Sequence, residues 1–334
     1  VFMFYVVEKP LVAYSHTNKI WIAEANERYI KDERDYKKVL SYLSSAPIGR
    51  VYAGRPGNWG RDFTVGDTAI YMALSRDGIP GIAFAPESWS PNAEFDQFFN
   101  ELDKHSYELF NVTHVVAPAF VEMPEFAKQA KQFGKYIIYE TTPQSWFAFG
   151  SSSSVATGNK TDFVNITHLW MTTKGPKNGE YPEVSYRKNP NPFKKNDIVL
   201  HDKQTFTFRG KTRRLSEENP LYDGHDKQKV TVAKKSEKKT IAGYSSTFDV
   251  SQDCEYCVVV LKQTFHPNWQ VKVNGELVSA YPVFPFYIAV PVQKAGIYTI
   301  EAEYRPGSVK TLFLILSVIA TCVMVMSRVM RKTR

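Results

Sequence analysis

Gln270-Val271-Lys272-Val273-Asn274-Gly275 is the segment whose reading decides the fold class. Val271 and Val273 alternate with Gln270 and Lys272, the period of a strand with one covered face. Asn274-Gly275 then forms the pair favoured in a type I′ hairpin turn, where both central residues need positive φ. The pattern repeats outward. Tyr298, Ile300, Ala302 and Tyr304 point one way along a strand, while Thr299, Glu301 and Glu303 point the other. Thr205–Arg209, Lys229–Ala233, Tyr244–Val250, Val258–Phe265, Glu276–Tyr281 and Phe286–Val292 read as further strands. Many short alternating strands predict an antiparallel, jelly-roll-like β-sandwich over 198–308.

The preceding half has another rhythm, and the chain as a whole reads as α+β. Tyr36, Val39, Leu40 and Leu43 recur at helical spacing. Arg50–Ala53, Val112–Ala117 and Tyr136–Tyr139 read as strands. Phe95, Phe98, Phe99 and Leu102 fall on one face of a helix introduced by Pro91 and Asn92, and Phe126–Phe133 reads as another helix stopped by Gly134. These elements predict a small α/β subdomain over 26–145. A Ser-rich stretch, Gly150–Gly158, and a Pro/Gly/Asn/Lys-rich one, Lys174–Phe193, flank a strand at Val164–Thr173. Residues 146–197 are therefore read as a linker with one or two strands.

The chain ends set the class. Thr311–Ser327 is uncharged, and Arg328, Arg331, Lys332 and Arg334 follow. As a helix this run covers roughly 25 Å of a hydrocarbon core of about 30 Å. Lys310 at one end, with Val329 and Met330 at the other, extends it. The expectation is a transmembrane helix at 309–330 with a cytoplasmic basic tail at 331–334. Val1–Val7 is apolar but short, and Glu8, Lys9 and Pro10 follow. Residues 1–10 are read as the end of a preceding transmembrane helix, with an ordinary first strand as the alternative. Everything before about residue 310 is then extracytoplasmic.

Net charge is +8, four of it in the tail, so the remainder is too weak and dispersed for a nucleic-acid partner. Lys234, Lys235, Lys238 and Lys239 read as a solvated strand-turn face, or as a contact to anionic headgroups. Cys254 and Cys257 form a C-x-x-C pair. No second ligand pair makes it a zinc site, which leaves a local disulfide or two buried thiols.

Phe265-His266-Pro267-Asn268-Trp269, Val273-Asn274-Gly275, Tyr298-Thr299-Ile300 and Tyr304-Arg305-Pro306-Gly307 lead straight into the apolar run. Together they resemble the C-terminal end of YfhO-like bacterial membrane proteins, with Asn268 in place of the usual Gly. Tyr107–Pro118 is similar to an earlier segment of that family, with His114 in a Tyr position. The resemblance covers about three-fifths of the chain. It implies a multi-pass membrane protein akin to GT-C glycosyltransferases, which use lipid-phosphate-linked sugars at the outer membrane face. It also implies that the catalytic parts lie in transmembrane segments and a first outer loop outside this chain.

The residues themselves carry no recognisable catalytic set. No nucleophile pairs with a base, no G-x-S-x-G occurs, and no Asp-x-Asp stands ready for a metal. The Asp223, His225, Asp226 cluster reads as a surface turn beside Pro220 and Gly224. Gly54–Arg61 holds Arg55, Trp59 and Arg61 among glycines, as a phosphate- or sugar-capturing loop or as a structural turn. Trp59, Trp89 and Trp146, with Tyr71 and Phe95, are either flat platforms for sugar rings or core plugs. Phe284, Phe286 and Tyr287 among prolines are read as packing the sandwich on the membrane. Asn111, Asn159 and Asn165 begin sequons.

The resulting reading is an extracytoplasmic accessory domain plus last span of a GT-C-like protein, involved in lipid-linked sugar transfer to surface glycans. No catalytic residue, metal or cofactor is assigned to it. Arg55, Trp59, Arg61 and Trp89 are the substrate-binding candidates. Expected partners are the bilayer, a lipid-linked sugar or surface glycan, and the remaining transmembrane segments of the same protein. The rival reading is a non-enzymatic, membrane-anchored module that binds a glycan or a protein.

Overall fold

The computed structural model describes residues 2–46, 49–82, 95–96, 98–142, 145–158, 163, 167–168, 170–185, 197–200, 205–208, 211–214, 230–240, 243–305, 307 and 312–323. They form a mixed α+β fold built from several sheets, most of whose strand pairs are antiparallel.

Helix α1 runs from Phe2 to Ser45, 44 residues and roughly 66 Å. Tyr36, Val39 and Leu43 are buried along one stripe, as their spacing predicts. Pro10 does not end the element, contrary to the sequence reading: the backbone remains helical through it. A proline removes one ladder hydrogen bond, and a helix continued on both sides kinks there more readily than it stops.

Strands β1 (Arg50–Tyr52), β2 (Thr64–Val65), β3 (Thr68–Ala69), β4 (Gly81–Ile82), β5 (Val112–Ala117), β6 (Lys128–Phe133) and β7 (Tyr136–Glu140) follow, with helices α2 (Ile70–Arg76) and α3 (Lys104–Phe110) between them. The first sheet has the order β4-β1-β5-β7-β6, and β2-β3 is a separate hairpin. Phe126–Phe133 is therefore no helix. Lys128, Gln129, Lys131 and Gln132 are exposed on an edge strand, and Gly134, at φ +55°, opens the turn to β7. A leading glycine suits a tight hairpin as well as a helix stop, and the tertiary pairing decides. The phenylalanine helix is present at 95–96 but does not extend to Leu102. Phe95 and Phe99 are buried, but Leu102 is 69% exposed, because a turn at 101–102 leads into α3, capped by the Asp103 carboxylate accepting from His105 N at 3.2 Å.

Residues 146–197, read as a linker, supply β8 (Phe147–Ser151), β9 (Val155–Thr157) and β10 (Glu183–Ser185). The expected strand at Val164–Thr173 is helical at 167–168 and 170–172 and ends in a bend at Thr173; Trp170 is buried, and its indole N–H donates to Glu180 O at 3.0 Å. Then come β11 (Asp197–Leu200), β12 (Thr205–Phe208), β13 (Lys211–Arg214), β14 (Val232–Lys239), β15 (Gly243–Val250), β16 (Cys257–Thr264), β17 (Trp269–Val273), β18 (Glu276–Val278), β19 (Tyr281–Val283), β20 (Tyr287–Pro291) and β21 (Gly296–Tyr304). The second sheet runs β13-β12-β11-β9-β10-β19-β20-β16-β8 and the third β14-β15-β21-β17-β18. Glu276–Tyr281, expected as one strand, splits at Ser279 between the third sheet and the second. The Asn274-Gly275 turn has φ values of 52° and 85°, and it joins β17 to β18 as expected.

The sheets stack through three cores. Tyr36, Val39, Phe63, Ile70, Leu74 and Val116 fill the space between the helices and the first sheet. Tyr52, Phe99, Val115, Val258, Val260 and Tyr287 join the first sheet to the second. Phe147, Phe248, Val259, Leu261, Ile288 and Ile300 join the second to the third. Successive residues of β16 thus enter opposite cores, which explains an apolar run without alternation. Phe284, Phe286 and Tyr287, expected to face a membrane, lie inside, at 6% exposure or less. Trp269 is half-buried against Tyr244 and Tyr304.

Arg50 pins the first two sheets together. Its guanidinium donates to Phe110 O at 2.6 Å and to Lys262 O at 2.5 Å, and stacks 4.7 Å from the Trp146 ring. Arg50→Met keeps the stem but removes the donors facing both carbonyls. It should lower unfolding free energy by about 3 kcal/mol, measured by urea denaturation against the wild type.

Candidate functional site

The Gly54–Arg61 loop is held by its own contacts and by Tyr52, Phe63, Phe99 and Glu101. Gly54, at φ +77°, lies so close to Gly60 that a Cβ on Gly60 would sit 2.3 Å from Arg55 N. The Asn58 side chain accepts from Arg55 N and Gly60 N at 2.8 and 3.0 Å and donates to the Tyr52 hydroxyl at 2.7 Å. Trp59 donates its indole N–H to Glu101 at 3.1 Å and meets Tyr52 and Phe63 edge-on. Arg55 donates to Phe99 O at 3.2 Å. Arg61 is exposed on the one-turn 3₁₀ helix Trp59–Arg61. The loop carries Arg55, Trp59 and Arg61, but Arg55 reaches Phe99 O and the polar edge of the tryptophan is occupied by Glu101. Trp89 lies outside the described residues, as do Asp223, His225 and Asp226.

Trp146, Tyr71 and Phe95, read as sugar platforms or core plugs, are core: all are buried. Cys254 and Cys257 are joined as a disulfide. Asn111 is fully buried in a left-handed conformation after α3, so its sequon is closed to modification in the folded chain; Asn159 and Asn165 fall outside the described residues. Of the four lysines on β14, Lys239 departs from a plain solvated face, since its ammonium lies 5.2 Å from the Trp146 ring. Burial pushes that amine down, and Arg50 adds to the effect.

The cluster that sequence reasoning missed lies where α3 meets the second sheet. The last carbonyls of α3 lack partners within the helix. Three side chains supply them: Lys262 Nζ donates to Glu108 O at 2.6 Å, Tyr287 to Leu109 O at 3.1 Å and Arg50 to Phe110 O at 2.6 Å. Lys262 is only 6% exposed, yet it lines a cleft of about 320 Å³ with His105, Glu108, Phe149, Pro176 and Lys177. His105 Nδ1 lies 3.3 Å from the Glu108 carboxylate, and its Nε2 is buried with no partner among the described residues. Nearby, burial pushes the Asp96 carboxyl up to about 7 against the pull of Arg50. One signal was available. Val258, Val260 and Lys262 share a strand face, so a lysine continues a buried apolar row.

A second cleft, of about 410 Å³, lies on the third sheet, where Lys238 and Lys272 face Glu301 and Glu303. Its charges largely offset one another. Comparison with protein-family models, with curated proteins and with solved structures finds no match to the chain.

Burial pushes the Lys262 amine down to about 8, with Arg50 adding and the Glu237 and Glu108 carboxylates opposing. The folded value lies below the unfolded one of about 10.4. The destabilisation is therefore zero above pH 10.4, grows as pH falls, and is complete below pH 8, at about 3 kcal/mol. Glu108 O keeps the Asn111 N–H at 3.3 Å when the lysine is removed. Lys262→Met should therefore be no less stable than the wild type at pH 7, and up to about 1 kcal/mol more stable, after loss of one charge-assisted hydrogen bond. Thermal melts from pH 7 to 10.4 should show that difference shrinking.

Proposed function

We propose that this chain is the extracytoplasmic part and last span of a multi-pass, YfhO-like membrane protein of GT-C type. In this reading its jelly-roll-like sandwich and α/β subdomain hold an acceptor glycan or steady the outer opening of the active site. The bond chemistry falls to transmembrane segments outside the chain. The observation that carries the proposal is the helix at 312–323. Leu312, Phe313, Leu314, Ile315, Leu316, Val318, Ile319 and Val323 are each at least 50% exposed on it. A helix apolar all round has no stable surface to show to water.

No helix of the described residues is long and apolar enough to cross a membrane. The described piece has the length of little more than three turns, and the remainder of the apolar run, Thr311 and 324–327, lies outside the described residues. The proposal joins the two into one span ending at Arg328, Arg331, Lys332 and Arg334, whose charges hold the tail in the cytoplasm. At the other end, α1 would carry the chain from the bilayer onto the first sheet as one continuous rod. Its exposed Val12, Tyr14, Trp21 and Ile22 suit a segment that leaves an apolar phase gradually. The same exposed helix would equally tether a non-enzymatic module that binds a glycan or protein partner.

Native Cys322, free and exposed on this helix, provides the test. Embedded in lipid, it should resist an impermeant thiol reagent in intact cells and react after detergent is added. A cysteine introduced at Lys332 should react only once the cytoplasm is opened. Labelling of either residue in intact cells would defeat the topology.

A further inference from the structure

We propose that the cleft between α3 and the 3₁₀ turn Pro176–Asn178 binds an oxyanion carried on a polyhydroxylated ring, such as a uronate or a sugar phosphate. The inference takes the sugar from the proposed glycan-facing role and the charge from the cleft itself.

The charge rests on Lys262. An ammonium has three N–H groups. One is bonded to Glu108 O at 2.6 Å, and no other acceptor meets the group among the described residues. A buried cation with unfilled donors beside an open cleft calls for an acceptor of opposite charge. The near carboxylates do not serve as acceptors: Glu108 turns its side chain to His105, and Glu237 accepts from Trp146 N and pairs with Lys234, so both favour the charge only from a distance. Exposed Lys177 adds a second cation at the rim.

The hydroxyl rests on His105. When Nδ1–H donates to Glu108, neutral imidazole leaves Nε2 as an acceptor. That nitrogen is buried and has no partner among the described residues. With the His105 ring turned to present that nitrogen to the cleft, a ring hydroxyl next to the anionic group donates to it. Phe149 and Pro176 give the cleft an apolar wall. A volume of about 320 Å³ sits at the lower end for small-molecule sites and suits one sugar unit.

The test is ligand-observed NMR on the full chain in detergent micelles, with glucuronate, glucose 1-phosphate, glucose and inorganic phosphate as probes. At least one of the two anionic sugars should bind, about tenfold more tightly than glucose and than inorganic phosphate. Lys262→Met should abolish that preference while melting no lower than the wild type at pH 7. Lys177→Met should weaken it by a smaller factor. If neither acid binds at about 10 mM, or if glucose binds equally well, the site is not one for anions. If inorganic phosphate matches the sugar acids, the ring has no part in it. If Lys262→Met binds as the wild type does, the assignment fails. None of these failures touches the membrane topology, which the labelling experiment tests separately.

Discussion

Three backbone carbonyls at the end of α3 take donors from two different sheets, and these bonds tie the first sheet to the second. A helix of seven residues cannot satisfy its own last turn. Here the donors come from outside: Arg50 on the first sheet, and Lys262 and Tyr287 on neighbouring strands of the second. The same guanidinium reaches Lys262 O and lies over Trp146. Cations at a helix C-terminus are also favoured by the helix dipole. The α/β part and the sandwich are therefore joined by directional bonds as well as by the apolar core that runs between them.

That joint explains why some of the chain was legible in sequence and some was not. Strands with one wet face announced themselves: Val271 and Val273 on β17, and Ile300 and Ala302 on β21, alternate because only one side meets the core. The second sheet is covered on both faces, so β16 reads as an unbroken apolar run, and sequence alone gives its existence but not its two partners. The 146–197 stretch misled for a related reason. Its serines and glycines looked like linker, yet Gly150 has no side chain so that Gly179 O can approach, and a Cβ there would lie 2.1 Å away.

The hairpin at β6–β7 was lost because Lys128–Phe133 is polar on an edge strand and offers no alternation to read. Its identity comes from β7, which lies on β5. The candidate loop shows the same limit. Arg55, Trp59 and Arg61 are adjacent in sequence, and their proximity was foreseeable. That Glu101, over forty positions away, would take the tryptophan N–H was not. His105 and Lys262 are farther apart still, and only the stacking of the sheets brings them to one cleft.

Lys262 could be regarded as nothing more than a cap for α3. The neighbouring carbonyl argues otherwise. Leu109 O is satisfied by the neutral hydroxyl of Tyr287, at no cost in buried charge. A neutral donor would serve Glu108 O in the same way, and Asn111 N–H already serves it in part. The fold instead holds an ammonium there, out of water and beside a second cation, Arg50, so that burial and repulsion together outweigh the Glu237 and Glu108 carboxylates that favour its charge. Capping alone does not require a positive charge at that point. The proposed anionic ligand would use that charge, and the open side of the cleft is where such a group would complete the ammonium's remaining hydrogen bonds.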